Sequence, residues 1–261
     1  MAHLRFAVLI TTSATFVLLM LIADGPHLGK QLMLAAATGL FLVMIVRKGN
    51  IPAVQVVVVM LIATTGELVL SLGWGLYDYR FAEVPFYVPP GHGVFYVLAC
   101  ESARQQFLRR HAVAITRLVL VAGSLYALVS LIIASDVWGL LWWIGAALLV
   151  TRSRSPLLLS TCIVYTVLLE WLGTAIGNWR WEGVVPFLGL TSANPPSGVG
   201  ILYCLLDLFT VMICSAAWFG RLQARSTAPV RVSRVDDFSL IVDGSHSMPV
   251  PLVEQKTRFG G

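Results

Sequence analysis

Two stretches of this sequence decide its architecture: ELVLSLGWGLYDYR (residues 67–80) and EWLGTAIGNWRW (residues 170–181). Each ends a long apolar run with a glutamate, a glycine-containing segment and a cluster of aromatic residues. Val-Pro-Phe, a Pro-Pro pair and a helix that carries an acid then follow in the same order. These later matches lie at 84–86 and 185–187, at 89–90 and 195–196, and at Glu101 and Asp207. So many matches in one order indicate an internal repeat.

The composition is typical of a membrane protein. Of the 261 residues 57% are hydrophobic and only 12% are charged, and the mean hydropathy is +0.82. A soluble domain has about a quarter charged residues. The net charge of +5 comes from cations at the ends of apolar runs, which is typical of membrane topology and does not indicate a nucleic-acid partner. The sequence therefore predicts an all-α polytopic membrane protein.

Eight apolar runs are candidate transmembrane helices, given that a span needs about 20 residues. The run at 92–108 has a polar second half, so an interfacial helix is the alternative there. The first run could be a signal peptide, but no small-x-small cleavage site follows it, and we expect a retained helix. The predicted spans are 4–23, 30–46, 51–74, 92–108, 112–135, 137–151, 157–177 and 198–220.

The distribution of cations predicts the orientation. One set of helix ends carries Arg5, Arg47, Lys48, Arg104, Arg109, Arg110, Arg152, Arg154, Arg221 and Arg225, and the opposite set carries Lys30, Arg80 and Arg180. Because Lys and Arg are retained on the cytoplasmic side, we expect a multi-pass protein of the cell membrane with both termini in the cytoplasm.

The repeat divides the chain into two four-helix halves, residues 1–110 and 111–225, and a tail, 226–261. Four helices is an even number, so both halves have the same orientation and a pseudo-twofold axis runs along the membrane normal. Both aromatic motifs then lie outside the cytoplasm. The tail is predicted to be a flexible cytoplasmic segment, with a small hairpin as the alternative.

Glu67 and Glu170 are the leading candidate catalytic residues. Glu67 lies seven residues before Trp74, which places its carboxyl about 10 Å inside the membrane at 1.5 Å per residue. An intramembrane acid is costly, and such acids are usually functional. Two related by pseudosymmetry can meet in one cleft, with one acting as acid and the other as base. The alternative is a duplicated structural brace, in which each acid bonds a neighbouring helix or pairs with Arg80 or Arg180.

His92 and Asp207 complete the predicted catalytic set. An imidazole suits proton transfer near neutral pH, although a loop or N-cap hydrogen bond is an equal alternative, and the second half has Gly198 at that place. Asp207 lies near mid-membrane without a local cation. Glu101 has Arg104 one turn on, which predicts a simple ion pair.

A second group of residues is predicted to bind substrate at the mouth of the cleft. The rings of this group also fit an interfacial aromatic belt, which is the favoured interpretation. Its polar members could pair with the acids or bind a polar head group. The group consists of Tyr77, Tyr79, Arg80, Asn178, Trp179, Arg180 and Trp181.

No sequence motif indicates a cofactor or a metal. No GxSxG, Walker loop, HExxH or strand-associated GxGxxG occurs. The four cysteines, Cys100, Cys162, Cys204 and Cys214, lie in apolar segments without metal-ligand spacing and are predicted to be small buried residues.

The second stretch resembles the integral membrane carotenoid-biosynthesis family that includes carotenoid hydratases. The likeness rests on Glu170, on the glycines and aromatic residues that follow it through Trp181, and on Val185-Pro186. It implies an all-helical membrane enzyme that protonates or hydrates a terminal double bond of a long polyene without a redox cofactor. Glu170 is the acid that the resemblance carries over, and Trp181 stands where the family has Tyr.

Together these observations predict an isoprenoid-, carotenoid- or lipid-modifying enzyme, of the hydration or isomerisation type, whose partner is a membrane-borne substrate. Two other classes stay open: a small proton-coupled transporter that uses the same acids, and a non-catalytic assembly subunit. The sequence predicts no particular protein partner.

Overall fold

The computed structural model describes residues 2–49 and 51–225, with side chains for 3–49 and 51–215. The predicted tail, 226–261, lies outside the described residues. The described chain is mostly helical, with one small sheet. Its elements are α1 (Ala2–Ala23), α2 (Leu28–Gly49), α3 (Ala53–Glu67) continued by a π-helical segment (Leu68–Gly73), β1 (Tyr77–Tyr79), α4 (Val88–Arg104), α5 (Gln106–Arg110), α6 (Ala112–Ala134), α7 (Val137–Arg152), α8 (Pro156–Ile176), β2 (Trp179–Trp181) and α9 (Gly200–Arg225).

Five helices are long and apolar enough to cross a bilayer, which agrees with the predicted all-α membrane class. Large apolar side chains project from these helices, and Ile132 and Ile133 on α6 are each 80% exposed. The apolar helices Val137–Arg152 and Gly200–Ser215 are shorter. The five spans are His3–Ala23, Leu28–Gly49, Ala53–Gly73, Ala112–Ala134 and Pro156–Ile176.

Four helices surround the centre of the molecule. Each of α3, α4, α8 and α9 packs against two of the others, in the order α3–α4–α8–α9 and back to α3. Helix α4 also packs against α2, and most of its residues from Pro90 to Ala103 are buried. Helix α4 is therefore an internal helix of the bundle, and its crossing of the membrane stays a prediction.

A buried aspartate fixes the turn between α6 and α7. Helix α6 ends at Ser135 in the left-handed conformation, and the Asp136 carboxylate caps α7 by accepting a hydrogen bond from Gly139 N at 3.0 Å. It also accepts bonds from Ala193 N at 2.9 Å and Ser197 N at 2.8 Å. This carboxylate therefore ties the helical hairpin to the loop that leads from β2 to α9.

The two aromatic motifs pair with each other. Strands β1 and β2 are antiparallel, and Asp78 lies opposite Arg180 at the middle of the register. Tyr77 faces Trp181, and Tyr79 faces Trp179. The sheet therefore joins the end of the helix that carries Glu67 to the end of the helix that carries Glu170.

Candidate functional site

The small sheet turns four aromatic rings toward the centre of the bundle. Side chains alternate across a strand, and in each strand the outer two residues are buried while the middle one is exposed. The buried rings are Tyr77, Tyr79, Trp179 and Trp181. Rings of an interfacial belt would lie at the lipid-facing surface, so the favoured interpretation of these four residues does not fit their position.

Glu67 accepts hydrogen bonds from three side chains. Its Oε2 atom accepts the Tyr77 hydroxyl at 2.5 Å and the Tyr79 hydroxyl at 2.8 Å. Its Oε1 atom lies 3.0 Å from His92 Nε2. Both oxygens are thus engaged, by groups from β1 and from α4, an arrangement that suits an ionised carboxylate.

The two phenols are held in their protonated form. Burial is the main cause that raises the pKa of Tyr77 and of Tyr79 well above the ordinary value, and the negative charge of Glu67 is the second. Both hydroxyls therefore remain hydrogen-bond donors to Glu67 at neutral pH.

Glu170 is held differently. Its Oε2 atom accepts the indole N–H of Trp179 at 2.8 Å and that of Trp181 at 2.9 Å. The other oxygen, Oε1, takes no hydrogen bond from the described residues, and the side chain is buried. The carboxyl group is therefore fixed at one oxygen only, by neutral donors that cannot exchange a proton.

Glu67 and Glu170 line one cavity of about 510 Å³, which is bordered by the central helices, by α1 and by the sheet. The four strand rings, His92 and Tyr203 line it as well. Most of the remaining wall is apolar, with residues such as Leu21, Leu70, Leu202 and Phe209. A concave apolar site with a few convergent polar groups is the usual form of a small-molecule site.

His92 connects this cavity to a second, smaller one. The His92 ring packs on Tyr203 with the ring centres 5.0 Å apart, and its Nδ1 atom is buried without a hydrogen-bond partner among the described residues. The Asp207 Oδ2 atom is also buried and also has no hydrogen-bond partner among the described residues. Both residues line a cavity of about 10 Å³, which is about the least volume that holds one water molecule.

The cations of the two motifs lie apart from the acids. Arg80 and Arg180 are exposed, and the Arg80 guanidinium lies 5.5 Å from the centre of the Phe81 ring. Neither arginine contributes a hydrogen bond or an ion pair to Glu67 or Glu170 within the described side chains. The alternative in which Arg80 and Arg180 form ion pairs with the two glutamates is therefore not supported by any contact of the described side chains.

Asn178 lies away from the cavity and is fully buried. Its amide donates to Leu21 O at 2.9 Å and to Asp24 Oδ2 at 3.2 Å. These bonds attach the end of α8 to the turn between α1 and α2. The Glu101 carboxylate accepts a bond from Arg104 at 3.1 Å, as its spacing predicted.

Sequence reasoning missed Tyr203, Asp24 and Asp136. Tyr203 precedes Asp207 by four residues, so both lie on one face of α9, and this spacing was a usable signal. A Ser-Asp pair before an apolar helix is likewise a signal for an N-cap such as Asp136. Nothing in the sequence links Asp24 to Asn178, because their contact depends on how α1 packs.

No three His, Cys, Asp or Glu side chains of the described residues come together in a way that could hold a metal ion. The chain matches no protein-family model, no curated protein and no solved structure.

Proposed function

We propose that this protein is a membrane enzyme that hydrates or isomerises a double bond of an isoprenoid, carotenoid or other lipid without a cofactor. The observation that carries the proposal is that the two glutamates of the repeated motif line one apolar cavity. Acid–base chemistry needs one proton donor and one acceptor that reach the same substrate. The resemblance of the second stretch to carotenoid hydratases supports the same reaction class.

The membrane arrangement that goes with this function has eight spans in two parallel four-helix repeats. The antiparallel sheet centred on Asp78 and Arg180 supports the repeat, because two equivalent strands that pair in this way are related by a local twofold axis. The α3–α9 and α4–α8 contacts support it too, since one becomes the other when the halves are exchanged. The distribution of cations along the sequence supports an orientation with both termini in the cytoplasm and the sheet on the opposite side.

The different partners of the two acids suggest their roles. Glu170, with Oε1 free of hydrogen bonds from the described residues, is the proton donor. It transfers its proton to one carbon of the double bond, which leaves a carbocation on the neighbouring carbon. The aromatic rings of Tyr77 and Trp181, which line the cavity, are the groups proposed to stabilise that cation.

The Glu67–His92 pair is the base. In hydration, water adds to the carbocation and loses a proton to the pair. In isomerisation, the carbon next to the cation loses the proton and the double bond moves. The accepted proton then returns to Glu170, so that the enzyme ends in its starting state. Glu67 orients the imidazole through the 3.0 Å contact, and imidazole can take up and release a proton near neutral pH.

One observation favours a second candidate, a proton-coupled carrier. Asp207, His92 and Glu67 form a series of titratable groups from the small cavity to the large one. Intramembrane acid and histidine series mark proton paths in transporters. Proton flux through proteoliposomes of the wild-type protein, abolished in Asp207→Asn, would support this candidate, and an absence of flux in the wild type would exclude it.

The test of the enzyme proposal compares neutral lipids and pigments of a deletion strain that expresses wild type, Glu67→Gln or Glu170→Gln. Because general acid–base groups contribute about 10²–10⁴ in rate, each variant is expected to restore less than about one-hundredth of the wild-type product. Glu182→Gln, at an exposed glutamate next to β2, is the matched control. A wild-type profile from both buried-site variants, at equal protein levels, would refute the proposal.

A further inference from the structure

The large cavity is open on one side. Of the residues that line it, Thr65, Val69 and Phe209 are exposed, and Val69 is 54% and Phe209 46% exposed. Thr65 and Val69 belong to α3 and its π-helical continuation, and Phe209 belongs to α9. These helices pack against each other, so the three exposed residues form one edge of the opening.

Helix α1 forms the opposite edge. Its residues Phe16, Val17 and Met20 line the cavity and are partly buried. The main helix contacts of α1 within the described chain are with α2, α4 and α8, and not with α3 or α9. The opening therefore lies between α1 and the α3–α9 pair.

The depth of this opening indicates what passes through it. Thr65 and Val69 lie inside the apolar span Ala53–Gly73. At 1.5 Å per residue they are about 12 Å and 6 Å from the Gly73 end. An opening at that depth faces the hydrocarbon of the bilayer, where a molecule that enters must be lipophilic.

The volume of the cavity limits how much of a molecule it holds. A volume of about 510 Å³ lies within the range of about 300–1,000 Å³ that is usual for sites of drug-sized molecules. A carotenoid or a two-chained phospholipid is much larger. A long substrate can therefore place only one end inside, and the rest must extend through the opening.

We infer that the opening between α1 and the α3–α9 pair is a lateral entrance for one end of a single-chain isoprenoid, whose remaining chain stays in the bilayer. The end group meets Glu67 and Glu170 beneath the sheet, while Val69 and Phe209 contact the chain where it leaves the protein. The inference rests on the proposed function for the identity of the occupant. The entrance itself rests on exposure and helix packing.

The experiment measures binding of all-trans-retinol, a single-chain polyene, to the full-length protein in phospholipid nanodiscs by energy transfer from tryptophan. Wild type is expected to bind saturably in the presence of the two-chained lipid. Thr65→Phe/Val69→Phe adds two rings at the entrance and is expected to weaken binding by about tenfold or more, because extra atoms do not fit into a filled opening. Leu68→Phe/Leu72→Phe is the matched control, because both leucines are exposed on the same segment and do not line the cavity.

Two further variants separate the possible failures. Phe209→Ala widens the opening and is expected to speed association of retinol, even if the double variant folds poorly. Glu182→Gln, at an exposed glutamate that does not line the cavity, is expected to bind retinol within about threefold of wild type. Saturable retinol binding combined with unchanged lipid profiles would refute the proposed function alone. No saturable binding to wild type, or equal binding by the entrance and control double variants, would overturn the lateral entrance.

Discussion

The sites of Glu67 and Glu170 are built on the same plan and differ in their donors. In both, a glutamate near the C-terminal end of a helix accepts two hydrogen bonds from the buried aromatic side chains of the strand that follows it. The first half uses two phenols and adds the imidazole of His92. The second half uses two indoles.

This difference separates the shared framework from the chemistry. An indole N–H only donates a hydrogen bond, whereas imidazole can also take up and release a proton. Glu67 therefore contacts a side chain that can take up and release a proton, His92. The two indoles that hold Glu170 cannot do so. The contact with His92 is made by Glu67 and not by Glu170 within the described residues, and this difference is the basis for proposing two different roles.

Replacement of His92 is expected to cause the largest loss of product among the variants that test this difference between the two sites. His92→Gln keeps an amide that can donate to Glu67 but cannot take up a proton. We expect the amount of product in the lipid extract to fall by about 10²–10⁴-fold, the usual contribution of a general base, while the thermal unfolding midpoint in detergent changes little.

His111→Gln is the control, because this histidine is exposed near the start of α6 and lines neither cavity. If His92→Gln and His111→Gln gave the same amount of product, His92 would not act as a base, and the Glu67 site would have no proton-transfer group that the Glu170 site lacks.

Removal of the phenolic donors is expected to have a smaller effect. Tyr77→Phe and Tyr79→Phe each delete one donor to Glu67 and keep the ring. A hydrogen bond to a charged group contributes about 1.5–3 kcal/mol, so we expect product formation to fall about 10- to 100-fold in each variant. Tyr126→Phe is the matched control, because Tyr126 lies outside the cavity and accepts a bond from the Trp171 indole. Losses no greater than in this control would show that Glu67 needs no charge-assisted donors.

Gly173 gives the smallest expected effect, on stability. A Cβ atom at Gly173 would lie 2.1 Å from ring carbons of Trp179, which is held by Glu170. Gly173→Ala is expected to destabilise the protein by about 1–3 kcal/mol and so to lower the unfolding midpoint. Gly39→Ala, at a helical glycine with no atom within 4 Å of the added carbon, should stabilise by about 0.5–1 kcal/mol. Equal thermal unfolding midpoints for Gly173→Ala and Gly39→Ala would mean that the Trp179 indole can move to make room for the added carbon.

Much of the helix pattern could be predicted from the sequence. The predicted runs 112–135, 137–151 and 157–177 differ by at most one residue at either end from α6, α7 and α8. The predicted run 92–108 begins four residues after the start of α4, because Pro89 and Pro90 occupy the first turn of that helix, where proline is tolerated. The glutamates and His92 were found because charged groups are rare in apolar runs.

The contacts of the site could not be predicted in the same way. Each strand has three residues, too few for a periodic pattern, and the two strands come from distant parts of the chain. Aromatic residues at the ends of spans favour a membrane belt. Only the pairing of Tyr77 with Trp181 and of Tyr79 with Trp179 turns these rings inward. Likewise, the sequence groups Asn178 with the residues at the mouth of the cleft, and only the packing of α1 shows that its buried amide binds Leu21 O and Asp24.

The central claim is that the two glutamates hold opposite protonation states, and infrared difference spectroscopy of the purified protein tests it without a substrate. A protonated carboxyl group has a carbonyl stretch distinct from the carboxylate bands. Wild type minus Glu170→Gln is expected to contain that carbonyl band, and wild type minus Glu67→Gln is expected to contain only carboxylate bands. The reverse assignment, or the same kind of band in both differences, would contradict the account.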